Sequence, residues 1–118
     1  DPQMFPAEMA FEMATLGGAK TMQMQDTIGS LEVGKRADIV LHDTDRPEWR
    51  PLLNVANQLV WSADGRGVHT VFVDGVKVVE NGQMTTIDEG SFYNRCQMAG
   101  EAITARSGLP DKAKWPVL

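Results

Sequence analysis

Read for its hydrophobic and polar periodicity, the chain begins helical. Phe5, Met9 and Met13 recur every four residues, with Ala10 and Ala14 beside them and Glu8 and Glu12 on the other face. That spacing makes one apolar stripe along a helix. Pro6 suits the first helical position, where its missing N–H costs nothing, and Glu8 places negative charge in the first turn. Thr15 is expected to cap a second short helix through about Met22, with the helical entry ending near Asp26. From Ile28 the period falls to two. Ile28–Gly34 reads as a short strand closed by a glycine turn, and Ala37–His42 as a second strand with Ala37, Ile39 and Leu41 on one face. Residues 43–51 form a polar loop carrying two prolines and Trp49. The segment Asn54–Ser62 is ambiguous, because its apolar spacing fits a helix first and a strand later.

The sharpest signal is a hairpin over Thr70–Val79. Asp74-Gly75 between β-branched runs predicts a two-residue type I′ turn. That turn sets Val73 opposite Val76 and Val71 opposite Val78, so four valines share a core side while Phe72 pairs with Lys77 on the other. Asn81-Gly82 supplies a second turn leading into Met84–Ile87. A last helix spans about Ser91–Arg106, with Phe92, Cys96, Ala99 and Ile103 on one buried face. Ser91 can cap its start, and Gly108 and Pro110 stop it in the expected order. Trp115 in the tail is expected to pack on something. The predicted class is α+β: helices, then a few strands, then a helix. A sheet this small has long free edges that need a partner or a cover, as at one end of a bigger protein.

Composition narrows the possibilities. The 118 residues carry a net charge of −5, with 42% hydrophobic and 23% charged positions. That describes one globular domain, or part of a larger one. An acidic chain without a run of Lys or Arg is a poor binder of phosphate backbones, so no nucleic acid is expected. No apolar stretch approaches the roughly 20 residues of a membrane helix. The single cysteine excludes an internal disulfide framework and fits a reducing compartment, hence a cytoplasmic location. The chain opens at Asp1 without a signal peptide, as a fragment, a processed chain or a designed boundary would.

Chemistry is scarce. His42 and His69 stand 27 residues apart, and no H-x-H, H-E-x-x-H or C-x-x-C occurs, whereas a closed zinc site wants four ligands, usually in near pairs. There is no G-x-S-x-G elbow, and Gly17-Gly18 lacks the later Gly-Lys-Ser/Thr of a phosphate loop. Asp88 and Glu89 read as charge complementing a helix N-terminus. His42 and His69 read as surface histidines, Trp49 as the anchor of its own loop, and Asp38 as a carboxylate that binds a neighbouring backbone N–H and holds the turn. No catalytic, cofactor-binding or metal-binding residue is expected in this chain.

The order and spacing of four blocks resemble a known family. They are A-F-E-M-A-T-L-G-G-A-K from Ala10, I-G-S-L-E-V-G-K-R-A-D-I-V-L from Ile28, D-R-P-E-W-R-P from Asp45 and V-F-V-D-G-V-K-V-V-E-N-G from Val71. Together they look like the C-terminal end of the amidohydrolase superfamily, in its cytosine deaminase-like, chlorohydrolase and aminohydrolase branch, over about Met4–Arg106. The resemblance implies a metal-bearing (β/α)8 barrel joined to a composite β-sandwich built from both chain ends. Residues 1–26 would be the barrel's terminal helices, residues 27–90 the C-terminal share of the sandwich, and residues 91–118 the closing helix and tail. It also implies hydrolysis of C–N, sometimes C–Cl, bonds of small, often ring-containing substrates by water on a divalent metal, zinc or iron. The family's metal ligands are barrel histidines and an aspartate on the last barrel strand. None of those positions falls in this chain, and Asp1 lies in the connection after that strand. Relatives commonly place glycine within a Leu-Gly-Leu stretch where Met22-Gln23-Met24 stands here; glutamine in the left-handed conformation costs about 1 kcal/mol more.

Two functional readings follow. In the first, the chain is the C-terminal portion of a metal-dependent amidohydrolase, inactive alone, partnered by the missing barrel and prone to homo-oligomerise through its exposed edges. In the second, it is a self-standing, non-catalytic β-rich module that binds a protein partner.

Overall fold

A computed structural model describes residues 5–109, so the expectations for Pro110 and Trp115 lie outside it. The described residues are α+β and divide into two compact units, which meet between Thr86 and Ile87. The first unit opens with α1 (Ala7–Glu12), which passes through a π-helical segment at Met13–Gly17 into α2 (Gly18–Thr21). The expected break at Thr15 is therefore absent. The Thr15 hydroxyl does not cap a new helix; it donates back to the Phe11 carbonyl at 2.8 Å. A hydroxyl bonded to the turn behind it perturbs a helix without ending it.

The helix stops at Gln23, whose φ is +58°. Gln23 N–H reaches the Lys20 carbonyl at 3.0 Å and Met24 N–H the Ala19 carbonyl at 2.8 Å. This crossed pair is the Schellman arrangement that satisfies the helix's last carbonyls. Gln23 thus occupies the left-handed position expected of a glycine.

Residues 28–34 form turns rather than the expected strand. Gly29 and Gly34 hold φ of +92° and +95°, which breaks any period-two extension. Arg36 N–H closes the loop onto the Thr27 carbonyl at 2.8 Å. Gly29 also presses its backbone against the helix. A β-carbon there would lie 2.7 Å from Ala19 Cβ and 3.1 Å from the Thr15 carbonyl oxygen.

Four antiparallel strands follow in sheet order β1-β2-β3-β4: β1 (Ile39–His42), β2 (Val68–Val73), β3 (Val76–Glu80) and β4 (Gln83–Met84). Asp74 and Gly75 take φ of +50° and +78°, and Asn81 and Gly82 take +52° and +73°. Both predicted turns thus have the two positive φ values of type I′. Val73 pairs with Val76 and Phe72 with Lys77 as expected, but Val71 pairs with Val79 rather than Val78. A bulge inserts one extra residue into β3, and Thr85 secures it. Thr85 N–H reaches the Val78 carbonyl at 3.0 Å and its hydroxyl the Lys77 carbonyl at 2.6 Å. The bulge puts Val79 on the valine face in place of Val78. That face is not all core: Val73 and Val76, beside the turn, are 50% and 61% exposed.

The ambiguous segment is helical. Helix α3 (Val55–Trp61) starts at Asn54, whose side chain accepts from Asn57 N–H at 2.9 Å. It packs on α1 in the same unit, where Ala7 is buried.

The second unit contains α4 (Glu89–Ser107). Its N-cap is Asp88 rather than Ser91, with the carboxylate accepting Ser91 N–H at 3.2 Å. Three residues of spacing let Asp88 serve the free N–H that Ser91 itself presents. Gly108 ends the helix in the left-handed region, φ +63°, as predicted. No residue of α4 is buried, so its Phe92/Cys96/Ala99/Ile103 stripe faces outward from the unit instead of into a core.

The contact at Gly29 yields a paired prediction. Gly29→Ala combines an unfavourable torsion with backbone overlap and destabilises by about 3 kcal/mol. Gly34→Ala meets nothing within 4 Å, so only the torsional part, about 1 kcal/mol, is lost. Urea unfolding of the two variants checks the difference; equal losses would show that Gly29 does not touch the helix.

Candidate functional site

One histidine and two ion pairs lie near the buried Trp49. Pro47–Trp49 forms a short 3-10 turn, and Trp49 at 2% exposure is the largest fully buried side chain. The indole lies 5.6 Å from the His42 ring, tilted by 57°. Gly67 also leaves room for it; a β-carbon there would come within 3.2 Å of Trp49 Nε1. Gln58 of α3 donates to the Glu48 carbonyl at 2.6 Å, tying that helix to the turn. Trp49 therefore anchors its own loop, joining β1, α3 and the 3-10 turn Gly65–Gly67 that leads into β2. His42 is half-buried against it, not at the free surface as expected.

Four charges surround this turn. Arg46 Nε donates to Glu48 at 2.9 Å, and Arg66 Nε donates to Asp64 at 2.7 Å. Glu48 is held below the usual carboxylate range by its own backbone N–H and then by Arg46. Asp64 is lowered by the Arg66 side group first and the Arg66 N–H second. Elsewhere Glu32 is lowered by the Ser30 hydroxyl and by Lys35. Each carboxylate is already matched to a cation or donor, which is how a structural ion pair looks.

The two histidines have different partners. His42 packs on Trp49 and pairs with Val68 across the sheet, where His69 is the extra residue at a bulge in β2, since Leu41 pairs with Thr70. His69 Nδ1 lies 2.8 Å from the Thr70 hydroxyl. Cys96 is exposed on α4, in the other unit. Among the described residues, no group of three or more His, Cys, Asp and Glu side chains is placed to hold a metal ion. No helix there is long and apolar enough to cross a membrane.

Asp38 is structural as expected, but the backbone N–H it holds is a distant one, at the tip of the β2-β3 hairpin, rather than a neighbour's. Its carboxylate accepts Asp74 N–H at 2.7 Å, while Gly75 N–H reaches the Ala37 carbonyl at 3.0 Å. Arg36 adds an ion pair to Asp74 at 3.6 Å. Three consecutive residues before β1 thus clasp the tip of the β2-β3 hairpin. Thr85, Gln58 and Gly67 escape a reading of the sequence, because they act through tertiary contacts that no local pattern announces.

The fold and this arrangement can be set beside known proteins. The model of the amidohydrolase family matches residues 1–78. The chain belongs to the amidohydrolase family. It is 46% identical over 103 residues to a 5-methylthioadenosine/S-adenosylhomocysteine deaminase of Desulforudis audaxviator, a match covering 87% of this chain and 24% of that protein. An S-triazine hydrolase of Gordonia rubripertincta is 34% identical over 122 residues, covering all of this chain and 26% of its own length. Among solved amidohydrolase structures, a zinc-bound adenosine deaminase from Xanthomonas campestris superposes with a TM-score of 0.82 at 31% identity, covering 86% of this chain and 23% of its own. The zinc complex of atrazine chlorohydrolase from Arthrobacter aurescens gives 0.74 at 26% identity, covering 82% and 21%. The chain thus spans about a quarter of the length of the amidohydrolases it matches.

The clasp and the ion pairs can each be tested. Asp38→Ala leaves the Asp74 N–H without its carboxylate and lowers stability by about 2 kcal/mol, measured by denaturant unfolding. Loss of less than a few tenths would mean that the clasp is ornamental. The lowered carboxyls give a pH dependence whose sign is fixed. Glu32, Glu48 and Asp64 release protons more readily folded than unfolded, so their contribution is present above the ordinary carboxylate pKa of about 4. It is lost as pH falls through their lower folded values. The melting temperature therefore drops on acidification below about pH 4, less steeply in 1 M salt because these pairs are exposed. A melting temperature unchanged between pH 5 and pH 3 would contradict the ion-pair assignment.

Proposed function

We propose that this chain is the C-terminal portion of a metal-dependent amidohydrolase that removes an amino or chloro substituent from a small nitrogen heterocycle by hydrolysis. The carrying observation is the quarter-length match at 46% identity to a nucleoside-type deaminase, alongside zinc-bound structural relatives. The relatives divide between adenosine-type and triazine substrates. Their shared chemistry is an aromatic carbon flanked by ring nitrogens and bearing a leaving group, which sets the substrate class.

In this reading residues 1–26 are the last helices of a barrel carried by the remainder of the polypeptide. Residues 27–90 are the C-terminal share of a composite sandwich, and residues 91–118 the closing helix and tail. Among the described residues no donor set matches the relatives' metal: no group of three His, Cys, Asp or Glu side chains comes together, and the carboxylates Glu48 and Asp64 are paired with arginines. No step of the reaction is assigned to this chain, and its catalytic, cofactor-binding and metal residues number none. Its role is to stabilise and dock, in a cytoplasmic enzyme that self-associates. Exposed apolar side chains such as Phe5, Met9, Met13 and Trp61 support a docking role, since a unit of this size that folded alone would bury more of them.

Elemental analysis tests the reading. The purified chain, dialysed without chelator, holds close to no zinc and releases neither ammonia from 5-methylthioadenosine nor chloride from atrazine. About one tightly held zinc per chain, or turnover of either compound, would overturn the assignment of catalysis to the remainder.

A further inference from the structure

We propose that Asn81-Gly82 is a self-modifying site, where asparagine converts to aspartate and isoaspartate at a rate set by opening of one backbone hydrogen bond. The Gly82 nitrogen attacks Asn81 Cγ, forming a new N–C bond as the bond from Cγ to the amide nitrogen Nδ2 breaks and ammonia leaves. Water then opens the five-membered imide at either carbonyl, so the net change is gain of water and loss of ammonia. No co-reactant beyond water is required.

Selectivity lies in the neighbours. The chain has four asparagines, at positions 54, 57, 81 and 94, followed by Val55, Gln58, Gly82 and Arg95. Only after Asn81 does the attacking nitrogen belong to a residue without a side chain to hinder it. Asn57 and Asn94 lie inside α3 and α4, where the next nitrogen is tied into the helical ladder. Asn54 accepts from Asn57 N–H at 2.9 Å and donates toward Glu8 at 3.4 Å.

The gate lies in the turn. Asn81 and Gly82 are both exposed, at φ of +52° and +73°. Gly82 N–H donates to the His69 carbonyl at 3.0 Å, which holds the nucleophile away from the Asn81 side group and keeps its proton in place. The restraint sits beside a two-residue edge strand, β4, whose pairs Val79–Met84 and Glu80–Gln83 are extended by Thr85 bonding Val78 and Lys77, and short edges of this kind open locally below the global unfolding free energy. The isoaspartyl product adds one methylene to the backbone and one negative charge, and neither fits the type I′ turn that sets the β3-β4 register.

Peptide mapping by mass spectrometry after incubation at pH 7.4 and 37 °C tests this, with isoaspartate read by an isoaspartate-specific methyltransferase. A synthetic peptide of residues 77–86 gives the unrestrained rate, and amide hydrogen exchange at Gly82 gives the fraction open. The expected result is a gain of about 1 Da at position 81 before any other asparagine, slower than in the peptide by the Gly82 protection factor, roughly tenfold or more. Asn81→Gln, checked for folding by circular dichroism, abolishes the gain, because the six-membered ring closes far more slowly. Conversion of Asn81 much slower than the peptide rate divided by the Gly82 protection factor overturns the site. Conversion in the folded protein at the peptide's own rate overturns the gate.

Discussion

The first unit is organised around the burial of a single indole. Trp49 removes from water more surface than any other fully buried side chain in the described residues, and the other buried hydrophobics are two alanines, Ala7 and Ala19. The two neighbours seen against the indole are flat or small, and a third group holds its turn. Gly67 presents backbone, His42 presents a ring at a tilt, and Gln58 reaches over to bond the carbonyl of Glu48. Because these groups come from β1, α3 and the turn before β2, the Pro47–Trp49 turn, with its indole and the Glu48 carbonyl, ties three elements together. The alanines serve the same end elsewhere: Ala19 lets the Gly29 backbone sit against the helix, and Ala7 is buried where α1 runs beside α3. Close approach, more than bulk, builds this core.

A core so small changes how the exposed side chains are read. Phe5, Met9 and Met13 recur at helical spacing yet are all more than a third exposed, as are Trp61 and the tip valines Val73 and Val76. Isolated exposed hydrophobics are ordinary, but regularly patterned ones carry information. Their periodicity is that of a buried helix face and a buried sheet face. In a chain spanning a quarter of its relatives' length, this pattern supports the proposed docking role. On that reading, the sequence is written for a larger core than these residues alone can close.

This also explains which parts of the fold are legible in the sequence. The two type I′ turns and the Gly108 stop are readable, because each depends on a few adjacent residues whose torsions leave few alternatives; Asp38 reads as structural, but its partner Asp74 on another turn is not readable. The departures have equally specific causes. Thr15 has the chemistry of a cap, but its hydroxyl finds a carbonyl one turn back. Residues 28–34 alternate like a strand, but Gly29 is there for contact with the helix rather than for a turn after one. The Val71–Val79 register depends on Thr85, which lies beyond the hairpin and stabilises an extra residue in β3. Of the candidate site, the lack of metal-ligand spacing is visible in the sequence at once. That His42 packs against Trp49 is not, since it follows from tertiary placement.

Gln23 shows how far the local rules can be strained before the fold gives way. Its left-handed torsion carries a penalty of about 1 kcal/mol relative to glycine, yet both Schellman hydrogen bonds form at 3.0 and 2.8 Å. Those bonds satisfy carbonyls that would otherwise end the helix unpaired. They also bring Met24 and the following turn back toward the helix, so that Ile28 N–H bonds the Met24 carbonyl at 3.0 Å and Gly29 reaches Ala19. The geometry after the helix is therefore over-determined: cap, turn and glycine contact each demand the same path. An unfavourable residue at one of three agreeing constraints lowers stability without redirecting the backbone. By the same logic the family's fold persists here although a position commonly glycine in relatives is glutamine.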